Sequence, residues 1–395
     1  MGLNTVTAME YCNFVTDGTH DSPKATDNGY KLITSKHLKR YDIDFNSAKY
    51  ISEEDYRKVI ERSSIEQWDI LFSMIGTIGN TYIETNDNIN YACKNMGIFK
   101  LGGDEMKSKW LYYYLQSPKA IEYIVASSRG TTQGYVPLGA LRKMPVDVVE
   151  DKKRNEIVSF LWNLDEKIKN NIAINNNLEQ QAETIFHSLF VEKANPTWKE
   201  GVLSDLGTIV AGGTPSKSKS EYYSEHGIAW ITPRDLSLNK SKFISRGELD
   251  ISELGFSKSS AKKMPRGTVL FSSRAPIGYI AIAANEVTTN QGFKSVIPNK
   301  NIGTSFIYFL LKNLLPTIEK MASGSTFKEI SGAGMKNVPI VIPDDMIIQK
   351  FNDFCKPIFQ QQEMLEAESA RLADIRDTLL PKLMSGESDV SSIDI

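Results

Sequence analysis

The chain is written twice. Residues 130–145 read GTTQGYVPLGALRKMP and residues 324–339 read GSTFKEISGAGMKNVP, 194 positions later in a chain of 395. Stacking repeats run roughly 20–50 residues, so a period this long marks a duplicated globular module and not a solenoid. The copies stay aligned further out. Thr19 pairs with Thr214, Ile33 and Thr34 with Ile231 and Thr232, Leu71 to Ser73 with Leu270 to Ser272, and Ile78 and Gly79 with Ile277 and Gly278. The length alone also calls for two core-forming domains. One surface presented twice suggests a target or partner that comes in two halves.

Each module mixes short β-like runs (69–74, 268–272, 279–283, 338–342) with a helical segment, at 109–126 and 304–321. Gly and Pro punctuate them as turn signals. Behind each module a long amphipathic helix is expected. In the first, the apolar stripe is Leu161, Leu164, Ile168, Leu178, Ala182, Ile185 and Leu189, with Asn171 and Asn175 at stripe positions. Adding 194 gives Cys355, Ile358, Gln362, Leu365, Ser369, Leu372, Arg376, Leu379 and Leu383. Alternating steps of three and four describe a coiled-coil seam. Helix one starts at module one and ends at module two, so a paired helix two runs back, antiparallel. Roughly 40 residues at 1.5 Å each span about 60 Å. The expected class is α+β: two similar α/β domains joined by two long helices that form an antiparallel coiled coil, a dumbbell. Its expected divisions are 1–150, 151–195, 196–345, 346–386 and a disordered acidic tail at 387–395.

The search for chemistry finds little. His20, His37, His187 and His226 are isolated, without H-E-x-x-H spacing, and no G-x-x-x-x-G-K-[ST] loop exists. Ser272 and Ser273 are not in a G-x-S-x-G elbow. Cys12, Cys93 and Cys355 are odd in number and far apart, so neither a disulfide framework nor a zinc site is indicated. A binder is expected, with no catalytic residue, metal or cofactor of its own. No run reaches the roughly 18 apolar residues of a membrane helix, and the N-terminus lacks a secretory or myristoylation pattern. The cytoplasm is the expected compartment.

A net charge of −2 gives no overall basic footprint, so any nucleic-acid surface must be local. Candidate tips in the second module are Thr214, Ser216 and Lys217, then Arg234, Arg274, Gln291 and Lys294. A basic stretch adds Lys258, Lys262, Lys263 and Arg266. The first module offers Thr19, His20, Lys24, Lys36, His37 and Arg129. Arg reads guanine bidentately and Asn or Gln reads adenine, while Lys, Ser and Thr suit phosphates. The tips correspond in position but differ in residue. Read as DNA contacts, they address two different half-sites; read singly, each is an ordinary polar turn.

These motifs resemble a known family. Gly212 to Ser216, Ser273 and Arg274 with Ile277 and Gly278, Asn290 to Gly292, residues 322–326 and Lys336 to Ile340 are similar to the target-recognition domains of type I restriction–modification specificity subunits. The first half offers variants at Asp17 to His20, Gly76 to Gly79, 128–132 and Arg142 to Val146. The resemblance covers essentially the whole chain. It implies a non-catalytic subunit whose heads each dock on half of a bipartite, asymmetric double-stranded DNA site, with the helices setting the gap. It also implies two methyltransferase subunits and restriction–translocase subunits as partners. S-adenosylmethionine, ATP and magnesium would sit on those partners, and adenine would be methylated. Met74, not an arginine, stands near the counterpart of Arg274, a departure from a base-contact role shared by the two copies of that loop. The competing readings are a stand-alone two-headed DNA-binding regulator and an adhesin-like interaction protein.

Overall fold

Ile70–Ser73 and Val269–Ser273 have no polar alternation, which predicts strands covered on both faces. The computed structural model buries every residue of both. It describes residues 4–130, 134–274, 276–324 and 328–393. The chain divides into two compact units, Met1–Lys169 with Arg371–Ile395, and Asn170–Ala370.

In the first unit the strands are β1 (Asn4–Thr7), β2 (Phe14–Asp17), β3 (Tyr30–Ile33), β4 (Lys49–Ile51), β5 (Ile70–Ser73), β6 (Thr81–Ile83), β7 (Tyr91–Cys93), β8 (Met96–Lys100) and β9 (Pro145–Val148). A four-stranded antiparallel sheet runs β2-β8-β5-β6, a second runs β4-β3-β7 with β3 and β7 parallel, and β1 pairs with β9. In the second unit they are β10 (Lys199–Val202), β11 (Gly207–Ala211), β12 (Tyr223–Ser224), β13 (Trp230–Ile231), β14 (Phe243–Ile244), β15 (Asp250–Ile251), β16 (Val269–Ser273), β17 (Ile277–Ala283), β18 (Thr288–Thr289), β19 (Lys294–Pro298) and β20 (Pro339–Ile342). The main sheet runs β11-β19-β16-β17-β14, β13 and β18 pair in parallel, and β10 pairs with β20.

The order 2-8-5-6 and the order 11-19-16-17 are one topology used twice. The duplication read in the sequence is therefore a duplication of fold. Gly79 and Gly278 have the same left-handed φ of +95°, so both copies turn at a point that favours glycine.

One predicted helix is two. The segment expected at 109–126 forms Glu105–Tyr114 and Pro118–Ser127. Ser117 accepts a hydrogen bond from the Ala120 amide and Pro118 opens the second helix, so the chain restarts there. Its counterpart, Thr304–Met321, stays continuous with Pro316 inside it.

The long helices are Asp151–His187 and Asp345–Ser385. The first ends short of residue 195, in a π turn at Ser188–Glu192. Within each unit the helix segments pair antiparallel. In the second unit, Asn171 Nδ2 donates to Glu368 Oε2 at 2.7 Å, while Gln362 Nε2 donates to the Asn175 carbonyl at 3.2 Å. In the first, Lys153 pairs with Asp389 and Asp165 with Arg376. Leu161, Leu164, Ile168, Cys355, Ile358, Leu365 and Leu383 are buried as the stripe predicts. Leu178, Leu189, Leu372 and Leu379 are half-buried.

Ile185 departs from the stripe. It is 37% exposed, and Phe186 is buried in its place. The helix serves the head's core as well as its partner helix: Phe186 sits 5.6–5.9 Å from the rings of Phe306, Phe309 and Phe351. Burying such a ring contributes about 1.5–3 kcal/mol. Likewise Leu161, Leu380 and Leu383 share the first unit's core with Phe72, Phe99 and Trp110.

The polar breaks in the stripe form buried networks. Arg376 is 2% exposed, and its Nη1 meets Asp165 Oδ1 at 2.6 Å. Tyr41 and Tyr113 donate to the same carboxylate, each at 2.8 Å. In the second unit Gln362 accepts from Lys242 at 2.7 Å, and Lys242 pairs with Glu179 at 2.6 Å. Lys242 also donates its amide to Glu366, and Lys312 joins Glu179 at 2.8 Å. The tail expected to be disordered is folded through Ile393. A short 3-10 turn at Val390–Ser392 follows the helix, and Val390 and Ile393 pack on the first unit's core. Two apolar side chains in that otherwise acidic stretch account for the docking.

Candidate nucleic-acid interface

The antiparallel registers bring the predicted loops of each unit to one sheet edge. In the second unit Ala211 at the end of β11 faces Lys294 at the start of β19, and β16 ends beside them at Ser273. The Gly213 amide donates to the Thr289 carbonyl and the Asn290 amide to the Ile231 carbonyl. Thr214 bonds its hydroxyl to Gln291 Oε1. A side-chain carbon at Gly213 would lie 2.3 Å from the Ala261 amide nitrogen, so only glycine admits this approach. The 258–262 segment thereby joins the edge, with Lys258 and Lys262 exposed.

Thr214, Ser216, Lys217, Arg234, Arg274, Gln291 and Lys294 are thus brought to the same edge. Ser216, Lys217, Arg234 and Gln291 are exposed, and Lys217 has no ion-pair partner among the described residues. Arg234 lies 3.8 Å from Glu248, both well exposed. Lys294 is not a surface contact. It is buried, and its ammonium meets Ser273 Oγ at 3.3 Å, the Gln291 carbonyl at 3.4 Å and Glu329 Oε1 at 3.4 Å. A buried ammonium must be compensated in this way. Glu329 was absent from the sequence-based site, because nothing local shows that Lys294 will need a carboxylate. Two members of the basic stretch are drawn elsewhere: Lys263 to Glu286 at 3.2 Å and Arg266 to Glu363 at 2.5 Å.

The first unit repeats the edge with other side chains. The Thr19 amide donates to the Cys93 carbonyl, and the Lys94 amide to the Ile33 carbonyl. His20 bonds Asn95 Oδ1 at 2.9 Å and Asp17 Oδ2 at 3.0 Å. Arg62 takes the other oxygen of Asp17 at 2.5 Å. His20, Lys24, Lys36 and Arg129 are exposed and Thr19 half-buried. Lys94 joins them through Ser22, a contact the sequence reading missed.

His37 is a correction. It is buried, and its Nδ1 accepts the Thr34 amide at 2.8 Å. Asp235 does the same for Thr232 in the second unit, at 2.7 Å. His37 is the first unit's capping residue and not a contact to a ligand. Burial, reinforced by the charge of Lys36, holds its pKa below the usual histidine value.

The duplicated edges can be aligned rung by rung. Val136 donates to the Met74 carbonyl as Ile330 does to that of Ser273. Tyr135 bridges Ile75 and Arg129 as Glu329 bridges Arg274 and Ser323. Met74 therefore matches Ser273, and Ile75 is the counterpart of Arg274. The first unit's arginine, Arg129, lies on the opposite rail. Residues 131–133 and 325–327, part of the repeated motif, lie outside the described residues.

Among the described residues no His, Cys, Asp or Glu cluster could hold a metal ion. Burial pushes the thiols of Cys12, Cys93 and Cys355 up to about 12, far from nucleophilic range. No helix among the described residues is long and apolar enough to cross a membrane. Two edges with one backbone pattern and different side chains define a tandem recognition protein.

The comparisons with known proteins agree on its kind. The chain belongs to the type I restriction–modification DNA specificity family, whose domain model matches residues 24–180 and 195–372. It is 37% identical over 193 residues to the MjaIX specificity subunit of Methanocaldococcus jannaschii, a match covering 47% of this chain and 44% of that one. Against the HindI specificity subunit of Haemophilus influenzae it is 24% identical, covering 82% of this chain and 88% of the other. The crystal structure of a type I restriction–modification S subunit from M. genitalium shares the fold: TM-score 0.57 at 19% identity, over 97% of this chain and 96% of that one. The chain is a type I specificity subunit with two target-recognition domains and long helices.

Proposed function

We propose that each sheet edge reads one half of a bipartite double-stranded DNA site. The long helices set the unread gap and receive two methyltransferase subunits, with restriction–translocase subunits joining to complete the enzyme. S-adenosylmethionine, ATP and magnesium belong to those partners, and the modified base is adenine. The observation that carries this reading is the rung-by-rung match of the two edges, whose backbones agree while their tips differ. Lys217, Arg234 and Gln291 serve one half-site; His20, Lys24, Lys36 and Arg129 serve the other.

With a near-neutral chain, much of the phosphate binding falls to the partners. The test is Lys217→Ala in the assembled complex. It weakens binding to duplexes and lowers the salt slope by about 1 without altering complex formation. Sites changed at only the first half-site, or loss of partner binding, would count against the assignment. The stand-alone regulator predicts tight, sequence-specific binding by the purified chain without partners, which a mobility-shift assay separates.

A further inference from the structure

Arg274 and Glu329 face each other across the second unit's edge, with Arg274 Nη1 3.6 Å from Glu329 Oε2 and both side chains just over one-third exposed. Such half-open pairs are common and weak by themselves. What distinguishes this one is its backing. The buried ammonium of Lys294 reaches Glu329 Oε1 while its other contacts go to Ser273 and the Gln291 carbonyl. Lys294 thus positions the carboxylate from behind, and Ser273 fixes the strand that carries Arg274. The outcome is a guanidinium and a carboxylate held side by side at the edge proposed to face DNA.

We infer that Arg274 and Glu329 act as a unit to read a single G·C base pair in the major groove, with Lys294 as the positioning residue. The inference rests on the proposed DNA reading of this edge. The chemistry selects the pair. Guanine offers two acceptors, O6 and N7, to a guanidinium, and its paired cytosine offers an N4 amino donor to a carboxylate. Adenine offers the guanidinium only N7, because its N6 amino group is a donor that repels the second N–H, and thymine sets its O4 acceptor where cytosine has its donor, so the carboxylate meets repulsion there. The first unit has Ile75 and Tyr135 at these two rungs and its arginine at 129. It lacks the donor–acceptor pair, so the G·C reading belongs to the second unit alone.

The test uses the assembled complex of the full chain with its methyltransferase and a duplex library randomised over both half-sites. Arg274→Ala and Glu329→Ala each lower the preference for G·C at one and the same position by roughly tenfold or more, and the double variant loses little beyond either single one. Glu329→Gln, which keeps the shape and one acceptor, loses less than Glu329→Ala, whereas a merely structural role would weaken all sequences evenly. Preferences lost at two different positions, or at a position without G·C, would overturn the pairing while leaving the edge as a reader. If neither these variants nor Lys217→Ala changed any base preference or affinity, the DNA reading of the edge itself would fail, and this inference with it.

Discussion

Replacing Arg376 by Met tests whether the buried pair in the first unit holds the helices to the head. Arg376 and Asp165 have side chains 3% and 6% exposed and meet at 2.6 Å. Met fills much of the arginine's volume but leaves Asp165 charged and buried. Removing one partner of such a pair costs about 3–5 kcal/mol, because the other charge is left uncompensated. The hydroxyls of Tyr41 and Tyr113 still donate to Asp165, which places the expected loss near the low end, about 3 kcal/mol. Adding Asp165→Asn removes the stranded charge; its Oδ1 still accepts from one tyrosine, and its Nδ2 donates to the hydroxyl oxygen of the other. The double variant is therefore expected to recover most of the loss, ending about 1 kcal/mol below the wild type. Urea unfolding followed by fluorescence reads this, since Trp68, Trp110 and Trp162 lie in the first unit and Trp198 and Trp230 in the second. A single variant within about 1 kcal/mol of wild type, or a double variant no better than the single one, would refute the reasoning.

Other outcomes follow from single contacts. Phe186→Ala is expected to cost about 3–5 kcal/mol in the second unit's transition, while Ile185→Lys is nearly neutral; the sequence stripe alone predicts the reverse emphasis. His37 has a folded pKa below its unfolded value of 6.5, so the unfolded state takes up the proton first. Its contribution is present above that value and is lost as pH falls below it. His37→Asn, which retains an acceptor for the Thr34 amide, lacks this titration, so the wild-type-minus-variant stability difference should fall between pH 7 and pH 5. Gly213→Ala drives a carbon into the Ala261 amide and should disorder the second unit's edge, abolishing its DNA selectivity while the first unit's unfolding transition stays put.

Much of this was legible in the sequence because duplication doubles every signal. Leu71 and Leu270 could be paired before either was known to lie in a strand, and the stripe from Leu161 to Ile168 reported burial correctly. The failures have a common physical source, in partners distant along the chain. Lys294 looks like a phosphate contact until Glu329 and Ser273 enclose it. His37 looks like a loop tip until Thr34 caps onto it, although Thr232 and Asp235 showed the same spacing with a familiar capping pair. Ile185 fits a two-helix seam, but the helix also packs on a head, which rotates Phe186 inward. Arg376 and Gln362 looked like breaks because stripe counting registers only apolar burial, whereas Asp165 and Lys242 satisfy them inside.

The central claim is that one scaffold carries two independent readers. The most direct measurement maps modified bases across a genome in cells expressing the full chain with its methyltransferase, alongside Lys217→Ala, Arg274→Ala and Arg129→Ala variants. A single split motif is expected, in which the Arg274 substitution alters recognition on one side of the gap and Arg129 on the other, while Lys217→Ala lowers the extent of modification and leaves the motif unchanged. A contiguous motif, or a substitution in one unit that changes both sides alike, would contradict it.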